Sequence, residues 1–105
     1  MKQLSAQDFE VLISDKKVKL LDVREQHEFA QGHIKGAQLV PSTNFWEEFE
    51  SLGIKKSDKI ALYCYTGSRS DFIARELEQA GYKNVFNLEM GIVEWLESGK
   101  PTVKK

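Results

Sequence analysis

Short apolar runs alternate with amphipathic segments along the chain, and this alternation limits the possible folds more than any other feature of the sequence. The clearest apolar run, residues 59–63, reads Lys-Ile-Ala-Leu-Tyr and leads directly into Cys64. No two runs are joined by the kind of short turn that closes a β-hairpin. Strands that alternate with helices form mainly parallel sheets covered by helices on both faces. The pattern therefore predicts an α/β domain with a mainly parallel sheet.

The predicted elements follow one another with short connections. Strands are predicted at residues 19–23, 38–40, 59–63 and 85–88. Helices are predicted at residues 5–14 and 25–31, around Phe45, Phe49 and Leu52, from Phe72 through Ile73 and Leu77 to Ala80, and at 91–97 with Trp95 and Leu96 facing inward. Ser5 and Asp8 resemble a capping box for the first helix. Glycines at 32, 53, 81 and 99 stop the other four, and the polar tail at 101–105 is predicted to fray.

Length and charge exclude several classes of protein. With 105 residues, the chain is predicted to form one domain spanning residues 1–105. Its net charge of −1 predicts no general attraction to nucleic acid or to an anionic membrane. Asp8 and Glu10 stand where a signal peptide requires an apolar run, so we expect a soluble, cytoplasmic protein.

Cys64 is the single cysteine of the chain. A disulfide within the chain is excluded, and only His27 and His33 would be available as nitrogen ligands of a zinc ion. We therefore predict neither a metal ion nor an organic cofactor. A lone thiol is typical of a reducing compartment.

The segment after Cys64 is suited to holding an anion. It lies between a predicted strand and a predicted helix, at the sheet edge where ligands bind in α/β folds. A loop that curls around one point directs its backbone N–H groups inward, and the following helix adds its positive end. Gly67 permits an unusual backbone angle, Ser68 can cap the helix and Arg69 can add a positive charge. Such a nest favours the thiolate, which is the nucleophilic form of cysteine.

Two other interpretations of Cys64 remain open. A free cysteine at the end of a strand is often only a small buried apolar residue. A Cys-dependent phosphatase or arsenate reductase is the other alternative, and its loop must surround a tetrahedral anion. Such loops commonly read Cys-x5-Arg, whereas four residues separate Cys64 from Arg69 here. The tighter ring favours a single sulfur atom over a phosphate group.

Three motifs, in order along the chain, resemble the rhodanese family. The first comprises Asp22, Arg24, Glu28, Phe29 and the segment Gly-His-Ile-Lys-Gly-Ala at 32–37, the second is the loop from Cys64, and the third is Gly91 and Trp95 followed by Gly99 and Pro101. The resemblance implies a three-layer α/β/α fold with a mainly parallel sheet of about five strands. It also implies a sulfurtransferase.

In such an enzyme Cys64 would take sulfane sulfur from thiosulfate or a low-molecular-weight persulfide and pass it to a thiol acceptor, either a small molecule or a protein. The resemblance implies that loop residues Tyr65, Thr66, Gly67, Ser68 and Arg69 hold the persulfide, and that Arg69 helps to bind an anionic donor. The alternative within the family is a non-catalytic or protein-fed carrier or interaction module.

Two residues depart from the family pattern. Tyr65 stands where the family often has arginine, which weakens the expectation that thiosulfate is the preferred donor. Met90 replaces the first glycine of the third motif and is expected to tighten or occlude the pocket wall. The role of the two aromatic residues Phe45 and Trp46 stays open between lining a pocket rim and packing.

The polar residues of the first motif are interpreted as structural. Arg24 and Glu28 are four residues apart, a spacing of neighbours on a helical turn, and Asp22 can accept local backbone hydrogen bonds. His33 is a conceivable base for Cys64, but its place between Gly32 and Ile34 favours a packing and turn element. Trp95 is expected in the core.

Overall fold

Five parallel strands form one sheet in the computed structural model, which describes residues 1–104. In chain order the strands are β1 (Lys2–Leu4), β2 (Lys19–Asp22), β3 (Gln38–Leu39), β4 (Lys59–Tyr63) and β5 (Asn84–Leu88), and the helices are α1 (Ala6–Ile13), α2 (Gln26–Gln31), α3 (Phe45–Glu50), α4 (Ser68–Gln79) and α5 (Gly91–Glu97). The spatial order of the strands is β1-β5-β4-β2-β3. The predicted α/β fold with a parallel sheet of about five strands is confirmed.

Alternating side chains of the central strands belong to two separate hydrophobic cores, one on each face of the sheet. Leu21 and Leu62, which are paired across β2 and β4, lie in a cluster with residues of α3 and α4 on one face. Leu20 and Tyr63 point to the opposite face and pack with residues of α1 and α5. Because neighbouring residues of a strand face opposite sides, one short apolar run supplies both cores. The helical layers on both faces follow from this.

The sequence pattern did not predict strand β1. Lys2 and Gln3 are exposed, and the strand pairs only with β5. An edge strand with polar side chains lacks the apolar run that identified the other strands, so its pairing is visible only in the backbone.

Two large apolar residues of the predicted helices, Leu96 and Phe72, are exposed. Leu96 is 51% exposed, because it lies about 100° around α5 from the buried Trp95. In α4, Ile73 and Leu77 are buried as expected, whereas Phe72 is 64% exposed. The prediction that Leu96 faces inward is therefore wrong.

The predicted fraying of the tail is also wrong for residues 101–103. The indole Nε1 of Trp95 donates to the carbonyl of Pro101 at 2.9 Å, and Val103 forms an antiparallel bridge with His33. The polar composition of this segment concealed its backbone pairing. Lys105 lies outside the described residues. Among residues 1–104, no helix combines the length and apolar character that crossing a bilayer requires.

The first turn of α5 lies directly against the loop that follows β4. The N–H of Ile92 donates to the carbonyl of Cys64 at 2.9 Å, and that of Val93 donates to the carbonyl of Tyr65 at 3.2 Å. Gly91 has a φ of +71°, and a Cβ atom at this position would lie 2.1 Å from the carbonyl oxygen of Tyr65. Only glycine allows the helix to approach the loop this closely.

This contact predicts a large effect of Gly91→Ala on stability. Gly53 has a similar φ of +67°, but a Cβ atom there would meet nothing within 4 Å. Gly53→Ala should therefore cost about 1–2 kcal/mol of backbone strain. Gly91→Ala should cost about 1–3 kcal/mol more, because the backbone must move. Urea unfolding of both variants tests this, and equal losses would contradict it.

Candidate functional site

Cys64 follows β4 at the carboxyl edge of the sheet, and its sulfur accepts several hydrogen bonds. The backbone N–H of Gly67 lies 3.1 Å from Sγ, and the N–H and hydroxyl of Ser70 each lie 3.4 Å from it. Cys64 has no exposed surface. The structure thus surrounds one buried sulfur with three hydrogen-bond donors from the loop and from the first turn of α4.

Ser70 was not singled out from the sequence, although it is fully buried and touches the thiol. Its hydroxyl is also 3.2 Å from the carbonyl of Gly67, and its single hydrogen can be donated to only one of the two acceptors at a time. The signal that could have revealed it is position, since a residue in the first turn of a helix can face back into the preceding loop.

Gly67 has the unusual backbone conformation that the sequence suggested. Its φ is +97°, and a Cβ atom would lie 1.9 Å from the carbonyl oxygen of Glu89. Gly67 is itself the N-terminal cap of α4, which begins at Ser68. The prediction that Ser68 caps the helix is therefore wrong, because the chain enters the helix one residue earlier than expected. Tyr65, Thr66 and Ser68 have exposed side chains.

Arg69 is held by a carboxylate of the first motif. Its Nη1 and Nη2 each lie 3.0 Å from one carboxylate oxygen of Glu28. The hydrogen bond from Arg69 is the main cause that lowers the pKa of Glu28 to about 2, from an ordinary 4.5. The same bond raises the pKa of Arg69. The ion pair joins α2 to the Cys64 loop and largely neutralises the charge of the arginine.

Arg24 does not form the expected contact with Glu28. Arg24 instead donates through Nε and Nη2 to the buried carboxylate of Asp22, and through Nη2 to the carbonyl of Gly32. Asp22 also accepts the backbone N–H of Arg24. The four-residue spacing predicted the wrong partner because Arg24 precedes α2 and pairs instead with the buried carboxylate of Asp22. The structural interpretation of these residues holds.

His33 is a packing element. Its ring stacks on Phe29 with a centroid separation of 3.6 Å, and its Nδ1 lies 2.9 Å from the carbonyl of Phe29. The backbone N–H of the next residue, Ile34, donates to the hydroxyl of Tyr63. Burial is the main cause that raises the pKa of Tyr63, and the nearby Asp22 adds to it. Tyr63 therefore stays neutral and serves as a buried anchor for this turn.

Two clefts border the Cys64 loop. The first, which we call the α3–α4 groove, has a volume of about 570 Å³ and is lined by Ser42, Thr43, Asn44, Phe45, Trp46, Glu47, Arg69, Phe72, Ile73 and Glu76. The second, the β1–α4 cavity, has a volume of about 360 Å³ and is lined by Gln3, Thr66, Gly67, Ser68, Asp71, Arg75, Asn87, Glu89 and Met90. The cavity thus contains residues of the loop itself, whereas the groove borders the loop through Arg69 in the first turn of α4.

The linings of the two clefts show where Phe45, Trp46 and Met90 lie. Phe45 is buried, and Trp46 is half-buried with its Nε1 donating to Glu76, so these aromatic residues pack and line the α3–α4 groove at once. Met90 forms part of the wall of the β1–α4 cavity, but 58% of it is exposed.

The low pKa of Glu28 predicts an acid-sensitive contribution to stability. A carboxylate whose folded pKa is depressed stabilises the protein above its unfolded value, here about 4.5, and loses this effect as the pH falls towards about 2. Glu28→Gln should therefore lower the free energy of unfolding at pH 7, and the difference from the unmodified protein should shrink between pH 4.5 and 2. Urea unfolding across this range measures it. Glu97→Gln, on the exposed end of α5, is the control, and a constant difference for Glu28→Gln would contradict the prediction.

Comparison with known proteins agrees with this architecture. The crystal structure of a rhodanese-related protein from Thermoplasma volcanium superposes with a TM-score of 0.87 at 30% identity, covering 100% of both chains. The polysulfide-sulfur transferase homodimer from Wolinella succinogenes superposes with a TM-score of 0.84 at 26% identity, covering 98% of this chain and 78% of the other.

Curated sequences give a second comparison. The tRNA uridine(34) hydroxylase of Hamiltonella defensa is 34% identical over 101 residues, which are 92% of this chain and 28% of the relative. The putative sulfur carrier protein YrkF of Bacillus subtilis is 33% identical over 82 residues, which are 78% of this chain and 43% of the relative. The chain thus spans less than half the length of these relatives.

The family resemblance seen in the three sequence motifs is confirmed by a family model. The model described as Rhodanese-like domain matches residues 5–98. This range begins at the cap of α1 and ends just after α5, so it includes β2 to β5 and the complete Cys64 loop. The chain belongs to the rhodanese-like domain family.

Proposed function

We propose that the chain is a sulfurtransferase in which Cys64 carries the transferred sulfur as a persulfide. The observation that carries the proposal is the convergence of the Gly67 and Ser70 donors on the single thiol. The thiolate attacks the outer sulfur of a donor such as thiosulfate or a low-molecular-weight persulfide. The donor's bond to that sulfur breaks, and sulfite or a thiolate leaves with the electron pair. A thiol acceptor then attacks the outer sulfur of the persulfide and regenerates the Cys64 thiolate.

The loop backbone supports this role. The carbonyls of Cys64 and Tyr65 point towards the first turn of α5, where they accept hydrogen bonds. In a planar trans peptide the N–H points opposite to the carbonyl, so the N–H groups of Tyr65 and Thr66 point away from α5 and towards the interior of the loop. We propose that these amides, with those of Gly67, Ser68 and Arg69, bind the anionic outer sulfur.

Arg69 is already engaged by a carboxylate, which weakens the expectation that it binds an anionic donor. Because Glu28 accepts from both terminal nitrogens of its guanidinium, a dianionic donor would have to compete with a carboxylate already in place. We propose that Arg69 mainly positions the loop against α2. This weakens the case for thiosulfate and strengthens that for persulfide donors.

A protein-fed sulfur carrier is the second candidate function. The burial of Cys64 and the pairing of Arg69 both disfavour rapid exchange with small anions. The likeness to the putative sulfur carrier YrkF points the same way. In this case the persulfide chemistry at Cys64 is unchanged, but turnover with small-molecule donors is slow.

Replacement of the thiol tests the proposal directly. The reduced protein is incubated briefly with thiosulfate or with glutathione persulfide, and its intact mass is measured. A gain of one sulfur atom, reversed by dithiothreitol, is expected for the unmodified protein and not for Cys64→Ser. Circular dichroism checks that the variant is folded. A gain that persists in folded Cys64→Ser would refute a role for Cys64, and no gain with either donor would favour the protein-fed carrier.

Ser70→Ala tests the hydroxyl that touches the sulfur. Loss of one hydrogen-bond donor to a charged sulfur should slow the loading of Cys64 with sulfur about tenfold. Ser98→Ala is the control, because Ser98 is exposed at the end of α5 and lies in neither cleft. The rate of persulfide formation is followed by intact mass. Equal rates for the two variants would exclude the hydroxyl from the reaction.

A further inference from the structure

Exposed apolar side chains border the Cys64 loop. Six large apolar side chains are exposed in the part of the chain that the structure describes, and three of them border this loop. Tyr65 is 51% exposed within the loop, Phe72 is 64% exposed in the α3–α4 groove, and Met90 is 58% exposed in the β1–α4 cavity. Exposed apolar residues that gather around a reactive group mark a surface for a macromolecular partner.

The same surface carries excess negative charge. The two clefts are lined by Glu47, Glu76, Asp71 and Glu89, and by the cations Arg69 and Arg75. Both arginines are already paired with carboxylates, Arg69 with Glu28 and Arg75 with Asp71. No lysine lines either cleft among the described residues. A partner that enters here therefore meets uncompensated carboxylates.

Lysines collect at the opposite edge of the sheet. Lys2, Lys19 and Lys59 are the first residues of β1, β2 and β4, and Lys83 directly precedes β5. Because all the strands are parallel, their starts share one edge, and Cys64 lies beyond the other. A chain with a net charge of only −1 is thus polarised, with the negative end at the reactive cysteine. Such a field attracts cationic partners and repels anionic ones.

We propose that the α3–α4 groove binds a positively charged, cysteine-bearing segment of a partner protein, which exchanges sulfur with Cys64. This inference rests on the proposed sulfurtransferase function and names the partner of that same site. Glu47 and Glu76 pair with basic side chains of the segment, and Phe72 packs against its apolar part. An extended segment suits the geometry, because it can lie along the groove beside Arg69, whereas Cys64 offers no exposed surface to a flat partner face.

The exchange is balanced without any further reagent. The thiolate of the partner attacks the outer sulfur of the Cys64 persulfide and forms a new sulfur–sulfur bond. The bond between that sulfur and Sγ breaks, and Cys64 leaves as a thiolate. The partner cysteine becomes the persulfide, and the same steps in reverse load Cys64 from a persulfidated partner.

A series of peptides tests the charge preference. Three peptides of equal length carry a central cysteine flanked by lysine, serine or glutamate, and protein preloaded with the Cys64 persulfide is mixed with each. The lysine peptide should accept sulfur at least about tenfold faster than the glutamate peptide at low salt, and the difference should collapse as salt screens the charges. Equal rates, or a faster glutamate peptide, would overturn the proposal.

Substitutions in the α3–α4 groove then test whether its carboxylates cause the charge preference. The double variant Glu47→Gln, Glu76→Gln should bring the lysine peptide close to the serine peptide, whereas Glu97→Gln outside the two clefts should leave the ranking unchanged. Glutamine at position 76 can still accept the indole N–H of Trp46, so the groove keeps its shape. A preference that survives the double variant would show that the segment binds elsewhere.

A binding measurement separates failure of this inference from failure of the sulfur chemistry. Cys64→Ser protein is titrated with peptides whose cysteine is replaced by serine, and affinity is measured by NMR shifts. The lysine peptide should bind more tightly than the glutamate peptide and shift signals of Phe72 and Trp46. Charge-selective binding without sulfur transfer would reject the proposed function alone, and sulfur transfer without charge-selective binding would reject the partner alone.

Discussion

The contact between the first turn of α5 and the Cys64 loop is the constraint on which the site depends. Gly91 allows two helical N–H groups to reach the carbonyls of Cys64 and Tyr65. Because these carbonyls point towards α5, the amides of the same peptides point away from it, and in the proposed function they face the sulfur. On the other side of the loop, Gly67 makes a similarly close approach to Glu89. The loop is thus fixed between two backbone contacts that leave no room for a side chain.

The sequence predicted the elements that carry a strong apolar pattern, and failed where backbone contacts decide. The runs at β2 and β4 and the position of Cys64 after β4 were found because each has a strong apolar pattern. The edge strand β1 and the docked residues 101–103 are polar, and only pairing with distant backbone orders them. The partners of Arg24 and Arg69 were missed for a related reason, since sequence spacing does not show which carboxylate becomes buried beside a cation.

Two features reduce the positive charge near Cys64: Arg69 is paired with Glu28, and Tyr65 stands where the family often has arginine. Both features remove free positive charge from the loop, and the flanking carboxylates then dominate the field outside it. In the proposed function, the amides on the inner side of the loop still favour an anionic sulfur. Under that proposal, the backbone inside the loop stabilises the sulfur and the side chains outside it recognise the partner.

The complete burial of Cys64 also bears on the chemical durability of the protein. The thiolate is the form of cysteine that peroxide most easily converts to sulfenic acid and then irreversibly to sulfinic acid. In many redox proteins a second cysteine rescues the first intermediate as a disulfide, but this chain has no second cysteine. The loop that encloses the sulfur therefore serves as a physical barrier to over-oxidation, and any movement that admits a donor also admits an oxidant.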